Sequence, residues 1–78
     1  MAKYNGYKNW NHWNVSLWIN NDENLYQMAL YFIFEHKQYG KGYAAERMLE
    51  CLHNEGITKT PDGAKYNKTA IRAAMVGM

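Results

Sequence analysis

An all-α fold, a compact bundle of about four helices, is what the sequence predicts, and three observations point to it. Apolar residues recur at three- and four-residue spacing within residues 22–38, 43–54 and 68–76, the period of a helix that buries one face. Residues suited to helix ends bracket these runs: Asn21 and Asp22 before the first, Gly40, Gly42 and Gly56 around the second, Asn67 and Gly77 around the third. The chain is also short and rich in rings, with 3 tryptophans, 2 phenylalanines and 7 tyrosines in 78 residues. At such a length folding withdraws only roughly 60–65% of the unfolded surface from water, so a small core has to be filled by few, large side chains. The chain reads as a single domain, 1–78, without an internal repeat, a low-complexity tract or a linker.

In chain order, Tyr4-Asn5-Gly6-Tyr7 suits a tight turn, because Asn-Gly accepts positive φ at both central positions. A two-stranded hairpin there is marginal unless it packs on helices. All three tryptophans and four asparagines then fall within residues 9–20, NWNHWNVSLWIN. As a helix this stretch puts Trp10, Trp13, Leu17 and Trp18 on one side, with Asn9 or Asn11 as the cap. As a strand it alternates Trp13, Val15, Leu17 and Ile19 against Asn14, Ser16 and Trp18. Asparagine is disfavoured in strands and favoured at helix starts, and Asn20-Asn21 reads as a joint, so helix is chosen. A small α+β fold with a strand over 13–19 is the alternative. On the helical reading the tryptophans lock the first helix onto the second and build the core, with one ring partly exposed. Trp13→Ala would then cost about 3–5 kcal/mol.

The next helix, 22–38, is expected to be central and wrapped by the others. Leu25, Met28, Ala29, Phe32 and Ile33 form its stripe, Tyr26, Leu30 and Phe34 widen it, and the acids of its first turn suit the helix dipole. Gly40 and Gly42 should end it, since glycine readily takes positive φ. A third helix over 43–54 turns Ala45, Met48, Leu49 and Leu52 inward, leaves Glu46, Arg47, Glu50 and Asn54 to water, and closes at Gly56. Thr60-Pro61-Asp62-Gly63 is a turn in which proline fixes φ at the second position. Asn67 caps a last helix over 68–76 that buries Ile71, Ala74 and Met75.

Composition narrows the function classes. Cys51 is the only cysteine, so no internal disulfide forms, and with no leader-like N-terminus a reducing cytoplasm is expected. The longest apolar stretch, residues 28–34, is far too short to span a bilayer, and no membrane association is expected. Charge is uneven: Lys3 and Lys8 stand unopposed in residues 1–20, six acids face three bases in residues 21–56, and Lys59, Lys65, Lys68 and Arg72 face only Asp62 in residues 57–78. Such asymmetry steers an acidic protein or a nucleic acid equally well, and a mixed solvated surface is the plain alternative.

Catalysis finds little in the residue pattern. His12, His36 and His53 share no helical ligand spacing, Cys51 and His53 point to different sides of a helix, and Glu46 and Glu50 read as a solvated surface. The Gly40–Gly42 stretch lacks the strand, lysine and hydroxyl of a phosphate loop. No enzyme activity, cofactor or metal is expected. Lys59, Lys65, Lys68 and Arg72 could contact phosphates while Tyr66 stacks on an unpaired base, although the pI of ≈ 8.7 is modest for a dedicated binder. Tyr7, Tyr39, Tyr43 and Tyr66 would serve as anchors on a protein partner, since tyrosine joins apolar area to a hydrogen-bonding tip. A homo-oligomer on a spare apolar face of the second helix stays open.

Two segments resemble a known family. The run W-N-x-W-N-V-x-L-W-I-x-N-D-E-x-L-Y over residues 10–26 is similar to a motif in small proteins encoded by bacteriophages and mobile elements, and T-P-D-G-x-x-Y-N over residues 60–67 resembles the end of the same family. Together they span roughly a third of the chain. The family carries no established catalytic residues, so the resemblance implies a phage origin and transfers no site. What it suggests is a counter-defence protein acting in the host cytoplasm, a non-catalytic inhibitor of a CRISPR effector or another defence complex, of the anti-CRISPR kind. The alternative is a small basic DNA- or RNA-binding regulatory protein.

Overall fold

A computed structural model describes residues 6–78. The Tyr4–Asn5 half of the expected N-terminal turn, and Lys3, lie outside the described residues. Four helices follow one another: α1 (Trp10–Asn21), α2 (Glu23–Glu35), α3 (Gly40–Asn54) and the short α4 (Lys68–Ala74), with a 3-10 turn at Lys37–Tyr39 between α2 and α3. Among the described residues there is no strand, only an isolated antiparallel bridge between Lys59 and Lys65. Residues 13–19 are therefore helical, and the α+β alternative falls.

The helix starts are made by the side chains that the sequence offers. Asn9 accepts from the His12 amide, Asp22 from the Leu25 amide and Asn67 from the Ala70 amide, each satisfying a first-turn N–H that has no partner inside its helix. Asp22 also closes α1, its own amide donating to Trp18 O at 2.9 Å. One residue thus ends one helix and begins the next. Gly56, at φ +79°, ends α3: its amide reaches His53 O at 3.0 Å while the Ile57 amide reaches Leu52 O at 2.9 Å, a paired termination that needs a left-handed residue.

Three boundaries differ from the sequence expectation, and one of them is the end of α4, at Ala74 instead of residue 76. Helix α2 stops at Glu35, and α3 begins at Gly40, three residues before Tyr43. Helix α2 is capped at His36, and Gly40, at φ +88°, follows the 3-10 turn and opens α3, while Gly42 is not in the left-handed region and lies inside the first turn of α3.

Each helix packs on two others, α1 and α3 both against α2 and α4, so the four close into a ring. At its centre lie Val15 and Ile19 of α1, Ala44, Ala45, Met48 and Leu52 of α3, and Ala70, Ile71, Ala74 and Met75 at the C-terminal end. Four alanines on the α3–α4 seam let those backbones approach closely, which leaves room for branched and flexible aliphatic chains and little for rings.

The tryptophan core predicted from the sequence is accordingly not formed. Trp10 is 40% exposed, and Trp13 and Trp18 are half-buried at the margin. Apolar residues occur all round α1, so periodicity does not choose its buried face, and polar bonding chooses it instead. Helix α2 is likewise not central. Only Ala29 of α2 is fully buried, and Leu25, Met28, Phe32 and Ile33 cover the core from one side.

Candidate functional site

The two segments singled out in the sequence meet in space. Thr60 Oγ1 donates to Asn14 Oδ1 at 2.6 Å, and Asn14 Nδ2 donates to Asp62 Oδ2 at 2.9 Å. Trp18 Nε1 donates to the same carboxylate oxygen at 2.9 Å, and the Ala64 amide donates to Thr60 Oγ1 at 3.0 Å. Asn11 pairs with the Lys65 backbone as a neighbouring strand would, its Nδ2 donating to Lys65 O at 3.0 Å and its Oδ1 accepting from Lys65 N at 2.9 Å. Asn20 Nδ2 donates to Ser16 O at 2.9 Å and extends toward Ala74 O at 3.5 Å. The asparagines of α1 therefore hold the irregular connection between α3 and α4, whose backbone groups have no helix of their own to satisfy them.

The turn held in this clamp has the geometry its residues require. Gly63 N donates to Thr60 O at 2.9 Å, closing the turn around Pro61 and Asp62, and Gly63 takes φ +97°. The donors on Asp62, first Asn14 and then Trp18, hold its carboxyl below the usual value of 3.8. A depressed acid stabilises the fold fully above its unfolded pKa and loses that contribution as pH falls through the folded value. The melting-temperature advantage of the native chain over Asp62→Asn should thus be constant between about pH 7 and 5 and shrink below about pH 4, as a pH series of thermal melts would show.

The residues expected to bind a partner are dispersed over three places. Tyr39 and Tyr43 do come together, with ring centroids 5.1 Å apart. Lys68 and Arg72 line the outward side of α4 beside α3, Lys68 Nζ at 3.9 Å from Glu46 Oε2 and the Arg72 side chain against Gly42. Lys59 and Lys65 face each other across the bridge that opens and closes the turn segment. Tyr66 is withdrawn from the set: it is 5% exposed, packed into the core, and its ring is not free to stack on a base. Tyr7 is half-buried too, its hydroxyl accepting from Ser16 Oγ at 2.6 Å.

The surface that stands out is a corner where α2, the 3-10 turn and the start of α3 meet. The Tyr31, Phe32, His36, Tyr43 and Tyr39 rings follow one another at centroid spacings of 5.3, 6.2, 5.0 and 5.1 Å. On the same helix as Tyr31, Phe34 is 70% exposed with Lys37 Nζ 5.9 Å from its ring centroid, and Tyr39 is 64% exposed. Sequence reasoning found Tyr39 and Tyr43 but placed Phe34 in the widened core stripe of α2 and gave Tyr31 no role. The signal was present as an excess: α2 carries more apolar residues than one buried face can use.

Among the described residues no three His, Cys, Asp or Glu side chains are placed to hold a metal ion. Cys51 is half-buried, its thiol is pushed up by burial and by Glu55, and it donates weakly to Glu55 Oε2 at 3.7 Å. No described helix is long and apolar enough to cross a membrane.

Compared with known protein families, residues 1–78 match a family of unknown function, DUF7249. The chain belongs to that family. The match runs over both clamp segments and the aromatic corner, so the clamp, the ring of helices and the exposed rings all lie inside the DUF7249 region. No curated protein and no solved structure matches the chain.

Proposed function

We propose that this protein is a non-catalytic binding protein that docks a protein partner through its aromatic corner, with Tyr31, Phe34, Tyr39 and Tyr43 as anchors and Lys37 at the rim. The observation that carries this reading is the run of rings across two helices and a turn, in which Tyr31, Tyr39 and Tyr43 are exposed and Phe32 and His36 are half-buried between them. Contiguous exposed apolar surface marks interaction sites, and aromatic side chains supply much of the binding energy at such interfaces. A stoichiometric inhibitor of a host CRISPR effector or other defence complex, phage-encoded and acting in the host cytoplasm, is the function of this kind that the sequence resemblance suggests. The protein works in this reading by covering a surface.

A second reading, direct binding to DNA or RNA, draws on Lys59 and Lys65, exposed like charges held opposite one another on the bridge. Such pairs repel, and a phosphate lying over both would relieve the repulsion. A tagged pull-down from host lysate separates the two. With nuclease present, the native chain is expected to retain one protein complex, and Phe34→Ser combined with Tyr39→Ser to lose it by about tenfold or more, with an unchanged circular dichroism spectrum. Capture that disappears with nuclease, or that survives the double substitution, would overturn the aromatic-corner reading and leave the lysine pair to be mutated next.

A further inference from the structure

A groove of about 480 Å³ shares no lining residue with the aromatic corner: its apolar walls are Trp18, Leu25, Met28, Ile57 and Pro61, and Tyr66 lines it as well. It sits where the α1–α2 junction faces the connection between α3 and α4. Its size falls in the range of small-molecule sites, roughly 300–1,000 Å³, which combine apolar walls with a few polar groups.

Three features say what chemistry suits it. Tyr66 is 5% exposed, yet its hydroxyl makes no hydrogen bond to any described residue. Every fully enclosed polar side-chain atom among the described residues has a partner, so this hydroxyl keeps a small opening to solvent, and the groove is the space that Tyr66 lines. Burial and the nearby Asp22 charge raise the phenol's pKa further above neutral pH. The second feature is charge. Asp22 and Glu55 line the groove against a single base, Lys59, although the chain as a whole carries a net charge of +2. Each acid keeps one oxygen free, since Asp22 uses Oδ1 to cap α2 and Glu55 uses Oε2 for Cys51. The third is the Trp18 indole, which its N–H bond to Asp62 holds in place.

From these we infer that the groove binds a small arylalkylammonium ion, its ring against Trp18, Leu25 and Ile57 and its ammonium group shared by Asp22, Glu55 and the Tyr66 hydroxyl oxygen. The ammonium N–H groups donate to the free carboxylate oxygens and to Tyr66 Oη, and an aromatic face adds attraction for a cation in a partly desolvated site. A carboxylate ligand of the same shape would meet two acids.

The test uses the full chain, labelled with ¹⁵N and with ¹³C at methyl groups, titrated separately with 2-phenylethylammonium, 2-phenylethanol and phenylacetate. The ammonium is expected to shift the Trp18 indole, Leu25, Met28 and Ile57 signals saturably, at about tenfold lower concentration than the alcohol, while phenylacetate leaves them unmoved. Tyr66→Phe keeps the ring in the core and should weaken ammonium binding by about tenfold. Glu55→Gln, an exposed conservative change, should cut the preference for the ammonium over the alcohol with little effect on the alcohol itself. Equal binding of ammonium and alcohol, no saturable shift at these residues, or a folded Glu55→Gln variant with its charge preference intact would overturn the proposal.

Discussion

Asn14→Ala is expected to destabilise the protein by about 2–4 kcal/mol, although asparagine is a polar residue on a helix. Asn14 is 2% exposed and makes two side-chain bonds across the fold, accepting from Thr60 and donating to the Asp62 carboxylate. Removing it leaves the buried Thr60 hydroxyl proton without an acceptor and takes a charge-assisted bond from Asp62, and an unmade buried bond costs about 1–3 kcal/mol. For a domain of this size each kcal/mol lowers the melting temperature by about 4–8 °C, so a drop of roughly 8–32 °C is expected in a thermal melt. Asn24→Ala, an exposed position in the first turn of α2, is the control and should move the midpoint little.

Ile71→Ala is the second large effect, about 2–5 kcal/mol, because Ile71 of α4 is fully buried in the core and the truncated side chain leaves a cavity there. Much of the stability of a small domain, typically about 5–15 kcal/mol, would go with it. Trp10→Ala removes a larger side chain from a partly exposed site and is expected to cost less than about 1 kcal/mol. Denaturant melts of the two variants therefore rank them opposite to side-chain size. A tryptophan-built core would reverse that order.

The legible and illegible parts of the fold divide by physical cause. Helix boundaries set by local chemistry were readable: Asn9, Asp22, Asn67 and Gly56 each act within a turn of their own position. The inward stripe of α3 was readable as well, since Ala45, Met48 and Leu52 stand against charged neighbours and are all fully buried. Helix α1 gave no such contrast. Its buried face includes Asn14 and Ser16, chosen by partners more than forty residues away or in the N-terminal segment, and no local pattern encodes those. The same holds for the candidate surface. Tyr39 and Tyr43 are four apart at a helix start and could be paired by spacing, whereas the exposure of Tyr31 and Phe34 follows from α2 lying at the edge of the ring of helices. Tyr66 was misplaced for the converse reason: among lysines it reads as a surface residue, and only the clamp on Lys65 and Thr60 turns it inward.

The division of labour that results is simple. The tryptophan- and asparagine-rich helix and the T-P-D-G turn hold each other, and the exposed rings of the aromatic corner make no bond to that clamp. Substitutions in the clamp should act on stability, and substitutions at Phe34 or Tyr39 on binding with the fold unchanged.

A double-mutant cycle on Asn14→Leu and Thr60→Val, read by urea unfolding, tests the clamp most directly. If the two side chains bond across the fold, the single changes each destabilise and the double change costs less than their sum, by about 1 kcal/mol or more, because one substitution already removes what the other would lose. Strictly additive losses would mean that Asn14 and Thr60 act independently, and the account of the two segments as one interlocked unit would fail.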